Sequence, residues 1–174
     1  MSKDYLKSVF LTGFMGAGKS TVGQLTADLL NMPFVDLDER IVQREKRSIA
    51  TIFAKDGEEY FRNCETDLLS ELKEETAAVY ATGGGIVVRD VNREAMSSMG
   101  KIVYLSASWP TLQERLKNSV DRPLVAPGKK WDELKSLWVK RQTFYSEADI
   151  IVNVDGLTPS EVARNILAEL NIKE

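Results

Sequence analysis

The chain has 174 residues, 43% of them hydrophobic, with a formal charge of −3, which suits one compact domain with its own core and provides no basic field for nucleic-acid phosphates. Histidine is absent and Cys64 is the single cysteine, so an internal disulfide framework is excluded and the commonest zinc ligand and proton shuttle are missing. Carboxylates, lysine, arginine, hydroxyls and an oxygen-ligated metal remain, and these are the tools of phosphoryl transfer.

The segment from Met1 to Lys7 leads into an apolar run, Val9–Leu11, too short for a signal-peptide core or a membrane span, so a cytoplasmic protein with no membrane partner is expected. Ser8–Thr12 reads as the first strand, followed by a glycine-rich turn and a helix over Lys19–Leu30. A second strand, Phe34–Leu37, ends in acidic residues. A helix over Glu58–Lys73 precedes a strand over Ala78–Thr82 that runs into a glycine triplet. Strand Ile102–Ser106, helix Pro110–Lys117, an irregular stretch Asn118–Lys130 and helix Trp131–Ser146 follow. Strand Ile150–Val154 and helix Ser160–Leu170 close the chain. Thr158 caps this last helix, with Pro159 in its first turn. Five near-continuous apolar runs alternating with helices predict an α/β fold, a parallel five-stranded sheet sandwiched by helices with right-handed crossovers. The proline- and glycine-bearing stretch Asn118–Lys130 is expected to be a mobile loop.

Gly13-Phe14-Met15-Gly16-Ala17-Gly18-Lys19-Ser20 matches GxxxxGK[ST] between a strand and a helix, the context that motif needs. Its glycines let backbone N–H groups surround phosphates, and the helix N-terminus adds partial positive charge. Gly16, Ala17, Gly18, Lys19, Ser20 and Thr21 are therefore candidate nucleotide-binding residues. Lys19 would reach the β and γ phosphates of ATP, and the Ser20 hydroxyl would meet Mg²⁺.

Asp36 and Asp38 lie at the C-terminal end of the second strand, where parallel sheets place ligands. If the strand continues that far, both carboxylates share a face. One, Asp36, would then serve Mg²⁺ through its water shell and the other an acceptor hydroxyl; alternatively Asp38 caps a helix beginning near Glu39. Gly83-Gly84-Gly85 follows the third strand and lets backbone approach a ligand, or forms an ordinary loop. Glu65, one turn beyond Arg62, is placed to orient its guanidinium. Cys64 faces away from both and reads as a small buried hydrophobe.

Together with the P-loop, Phe34-Val35-Asp36-Leu37-Asp38, Ser48-Ile49-Ala50-Thr51-Ile52-Phe53, Gly57-Glu58-Glu59-Tyr60-Phe61-Arg62, Thr82-Gly83-Gly84-Gly85, Arg122-Pro123-Leu124 and Arg141-Gln142-Thr143-Phe144-Tyr145 follow in an order that closely resembles the shikimate kinase family. The resemblance implies a three-layer α/β/α P-loop kinase domain over residues 1–174, with acceptor-binding helices over about 38–75 and a lid over about 118–130. It implies transfer of the γ-phosphoryl of ATP to the 3-hydroxyl of shikimate, on the route to aromatic amino acids, by a monomer. Asp38 would contact ring hydroxyls, Arg62 and Arg141 the carboxylate, and Gly83, Gly84 and Gly85 the acceptor and γ-phosphate. Arg122 would be a lid arginine over the phosphates, and Arg115 and Pro159 would sandwich adenine. Lys19, Asp38 and Arg122 would carry the chemistry. Read from the residues alone, Arg62, Arg115, Arg122 and Arg141 are equally solvated surface charges, and Phe53 and Phe61 either wall the acceptor or belong to the core. A gluconate or nucleoside monophosphate kinase, or a non-catalytic ATP-binding module, is the rival reading.

Overall fold

The computed structural model describes residues 7–117 and 131–172. Strands β1 (Ser8–Thr12), β2 (Phe34–Asp36), β3 (Val79–Ala81), β4 (Gly100–Ser106) and β5 (Ile150–Asn153) pair in parallel in the order β2-β3-β1-β4-β5. Seven α-helices are among the described residues: α1 (Lys19–Leu30), α2 (Leu37–Glu45), α3 (Ile49–Glu71), α4 (Asp90–Met99), α5 (Trp109–Lys117), α6 (Trp131–Tyr145) and α7 (Pro159–Glu169).

Every residue of β1 is buried, so both faces of the sheet centre are covered; helix α1 packs against α7, and α3 against α4. This explains the continuous apolar spelling of the strands, which shows no alternation because neither face meets water. Phe10 on β1 and Tyr80 on β3 are register partners whose rings stack at 4.9 Å, both fully buried. Truncating either would leave a cavity costing about 3–5 kcal/mol.

Three expectations are corrected. The second strand stops at Asp36, so Asp36 and Asp38 do not share a strand face; Asp36 Oδ1 accepts from the N–H groups of Asp38 (3.0 Å) and Glu39 (3.3 Å) and is itself the cap of α2. A carboxylate there satisfies orphan donors and the helix dipole together, which ends the strand early. The helix expected from Glu58 is present beyond a break at Gly57 (φ 84°, ψ 175°), but an unexpected helical stretch from Ile49, capped by Ser48, precedes that break within α3. Helix α4 was not expected; its first-turn Val91 is exposed while Asn92 is buried, an inversion of the usual pattern.

At the C-terminus the expected cap is present: Thr158 and Glu161 form a reciprocal capping box with Pro159 at the first position of α7,. The lid over 118–130, and Arg122 with it, lie outside the described residues. No helix among the described residues is long and apolar enough to cross a membrane.

Candidate active site

The glycine-rich turn leaves the C-terminal end of β1, the central strand. Gly18 caps α1 in the left-handed region (φ 96°) and makes no side-chain cap bond, so the first N–H groups of the helix remain directed outward. A Cβ would oppose that conformation, which is why the motif requires glycine. Lys19 Nζ donates to the carbonyls of Gly13 (2.8 Å) and Phe14 (3.1 Å), arching over the loop it would otherwise leave. Ser20 donates its hydroxyl proton to Asp36 Oδ2 at 2.7 Å, bringing an alcohol and a carboxylate together at the loop's edge.

Beside this loop lies a pocket of about 250 Å³, with Gly16, Ala17, Gly18 and Thr21 on one side and Arg115, Val154, Leu157 and Pro159 around the rest. Arg115 donates to the carbonyls of Gly16 and Ala17, each at 3.2 Å, which fixes its planar side chain against the loop. Arg115 and Pro159, with α6 and β5 between them in sequence, thus face one cavity. A flat guanidinium and a proline ring give such a cavity the walls a planar aromatic base needs.

A second cluster forms where Gly83-Gly84-Gly85 leaves β3. A methyl group on Gly83 would sit 2.7 Å from Asp38 Oδ1 and 2.9 Å from Glu65 Oε1, and one on Gly85 would overlap the Arg62 guanidinium. At Gly84 it would lie 3.5 Å from the Gly13 carbonyl, 3.6 Å from the Met15 N–H nitrogen and 3.7 Å from Arg141 Nη1. Side chains are excluded at Gly83 and Gly85 because Asp38, Glu65 and Arg62 already occupy that space, whereas a methyl group at Gly84 would make ordinary contacts. A methyl group on the middle glycine would thus reach both the glycine-rich turn and Arg141.

Both arginines are only 8% exposed, which removes the surface-charge reading. Arg62 donates from Nη1 to Glu65 Oε2 at 2.6 Å and from Nη2 to Glu58 at 3.0 Å. Arg141 lies over the Phe14 ring at 6.0 Å, and its Nε has no hydrogen-bond partner among the described residues. Burial works against the Arg62 charge, yet Glu65 and Glu58 together raise its pKa. Glu65, 1% exposed, pays the opposite way: burial pushes its carboxyl from 4.5 up to about 7, against the pull of Arg62,. Phe61 is buried and Phe53 half-exposed, with ring centroids 5.0 Å apart, so the pair spans core and surface beside Arg62.

The family model for shikimate kinase matches residues 15–171. The chain belongs to the shikimate kinase family. A shikimate kinase of Sulfurihydrogenibium sp. is 39% identical over 165 residues, covering 95% of this chain and 98% of its relative. One from Thermodesulfovibrio yellowstonii is 40% identical over 164 residues, covering 94% and 95%. The solved structure of the shikimate kinase of Acinetobacter baumannii in complex with shikimate superposes with a TM-score of 0.89 at 35% identity, covering 95% of this chain and 93% of that one.

Within this shikimate kinase frame, the structure brings Asp38, Arg62, Gly83, Gly84, Gly85 and Arg141 into one cluster, and Gly16, Ala17, Gly18, Thr21, Arg115 and Pro159 into another. Lys19, Ser20 and Asp36 lie with the nucleotide-side turn. Tyr145, known from the sequence only as the last letter of a motif, donates its hydroxyl to the Gly84 carbonyl and stacks on Tyr104 at 5.0 Å. Burial raises its pKa, keeping it a donor. Phe14 was a variable position of the P-loop pattern, and its contact with Arg141 had no signal in that pattern.

Proposed function

We propose that this chain transfers the γ-phosphoryl of ATP to the 3-hydroxyl of shikimate through the residues of these two clusters. The observation that carries the reading is the seat of Gly84, where a single added methyl group would lie within 3.7 Å of both the glycine-rich turn and Arg141. That proximity brings an acceptor anchored by two buried cations to the end of a triphosphate.

Arg62 and Arg141 grip the acceptor carboxylate, a task suited to planar guanidinium groups. Asp38, beside Gly83, accepts a hydrogen bond from the attacking hydroxyl. The bond from the bridging oxygen to the γ-phosphorus breaks as the bond from the acceptor oxygen forms, and the hydroxyl proton leaves toward Asp38. A loose transition state asks for little deprotonation beforehand, so Asp38 acts first by orienting the oxygen. Lys19 turns from its carbonyls to the β and γ phosphates, and Arg122, outside the described residues, is the further cation assigned to them. Adenine occupies the pocket between Arg115 and Pro159.

The oxygen pair Ser20 and Asp36 suits Mg²⁺, a hard cation held by few protein ligands together with waters and phosphates. Ser20 would ligate it directly and Asp36 through water, since Asp36 Oδ1 is engaged in capping α2. When bound, the metal offsets the charge on the phosphates. One chain supplies every residue invoked, so a monomer suffices, and a reaction that consumes ATP fits a cytoplasmic protein.

ADP release by the purified protein with Mg·ATP, measured with shikimate, gluconate, a nucleoside monophosphate or no acceptor, tests this reading. Release with shikimate alone is expected. Release with another acceptor would overturn the acceptor assignment, and acceptor-independent behaviour would favour a nucleotide-binding module.

A further inference from the structure

The acceptor cluster holds two arginines from different helices on either side of a bare glycine backbone. Three consecutive glycines have no side chains to anchor them, so the rigidity of the triplet must come from elsewhere. Helix α4, which packs against α3 and against the turn after the triplet, is placed to supply it.

Asn92 is 0% exposed, and a buried amide requires partners on both ends. Its Nδ2 donates to the carbonyl of Ile86 (3.0 Å), the residue after Gly85, and its Oδ1 accepts from the Thr66 hydroxyl (2.8 Å). Thr66 lies one turn beyond Arg62 on α3, and its hydroxyl is 3.0 Å from the Arg62 carbonyl. Reversing the amide would set two carbonyl oxygens face to face at Ile86, so the network fixes the orientation.

The next residue reaches the other way. Arg93 Nη1 donates to the carbonyl of Val87 at 2.6 Å, its Nε to Glu147 at 2.6 Å, and its Nη2 to Asp90 at 2.8 Å, while its guanidinium lies 5.1 Å from the centroid of the Phe144 ring. Phe144 is on α6 with Arg141, and Glu147 just follows that helix. Two successive carbonyls of the turn after Gly85 are therefore tied by neighbouring residues of α4, one toward the helix of Arg62 and one toward the helix of Arg141. The tolerance is small, because Gly85 already lies so near the Arg62 guanidinium that no Cβ fits.

We propose that Asn92 and Arg93 are positioning residues that set the gap between Arg62 and Arg141, and so the enzyme's selectivity for an acceptor carrying a carboxylate. The inference rests on the reading of those arginines as the carboxylate site. Neither residue touches an acceptor; each acts through the backbone of the Gly85–Val87 turn.

The test is steady-state kinetics of Asn92→Ala, Thr66→Val and Arg93→Met with shikimate and with its methyl ester. Thr66→Val keeps the shape of the side chain and removes only the hydroxyl of the tie, so it reports even where Asn92→Ala does not fold. The expected result is a rise of about tenfold in KM for shikimate, with kcat and KM for ATP within about twofold of wild type. Preference for shikimate over the ester should shrink in parallel. An unchanged KM for shikimate in folded Thr66→Val and Arg93→Met overturns the inference. So does a uniform loss of kcat and both KM values that follows Tm, since it marks general loss of structure. A wild-type protein without shikimate-dependent turnover overturns the carboxylate-site reading and this inference together, whereas an active wild type with indifferent variants overturns this inference alone.

Discussion

The nucleotide-side and acceptor-side clusters are built on opposite plans. The glycine-rich turn is one contiguous stretch of backbone with Lys19 and Ser20 in the same run; distant residues enter at its margins, Asp36 beside Ser20 and Arg115 and Pro159 at the adjoining pocket. The acceptor cluster takes Asp38 from α2, Arg62 and Glu65 from α3, the glycine triplet after β3 and Arg141 from α6. A backbone site tolerates change in the side chains around it, whereas a site of converging buried side chains fails when any neighbour moves.

The largest effect should come from adding one methyl group where the clusters are tightest. Gly85→Ala overlaps the Arg62 guanidinium; kcat/KM for shikimate is expected to fall about a hundredfold or more, with KM for ATP little changed. Equal damage to both substrates would show that the two clusters are not separable. Arg115→Ala is the complementary probe. Its loss opens the base pocket and frees the Gly16 and Ala17 carbonyls, so KM for ATP should rise about fivefold while KM for shikimate holds.

A smaller effect concerns Glu65 and pH. Its folded-state pKa of about 7 lies above the ordinary 4.5, so the folded protein binds the proton more tightly than the unfolded chain does. The stability this confers is complete below about pH 4.5 and is lost as pH rises through about 7, on the order of 1–3 kcal/mol. No histidine is present to mask the transition. Denaturant melts between pH 5 and 8 should show the decline in wild type and lose it in Glu65→Gln; the same slope in both would assign it to another group.

The contrast between the clusters also explains what could be read from sequence. The P-loop was legible because its physics is local: glycine spacing, lysine and hydroxyl occupy adjacent positions, and α1 begins and ends where its pattern indicates. Arg62 and Arg141 gave no local sign of burial, since the glycine triplet and the Phe14 ring beside them lie on other segments; only the family resemblance singled them out. Glu65 was legible as a neighbour of Arg62 by helical spacing, but its contact with Gly83 depends on the fold. Asp36 ends its strand as the sequence indicates, but the pull of two unsatisfied N–H groups also makes it the cap of α2, which removes the strand face it would have shared with Asp38. Helix α4 escaped notice because its cap position, Arg89, makes no side-chain cap bond and because its buried polar residue serves the turn after the triplet.

Calorimetric titration of shikimate into wild type, Arg62→Gln and Arg141→Gln, each with ADP bound, tests most directly whether these two buried cations form the acceptor site. Saturable binding to wild type that weakens at least about tenfold in each variant, with ADP affinity unchanged, is the expected result. Shikimate binding of wild-type strength in both variants would contradict the account.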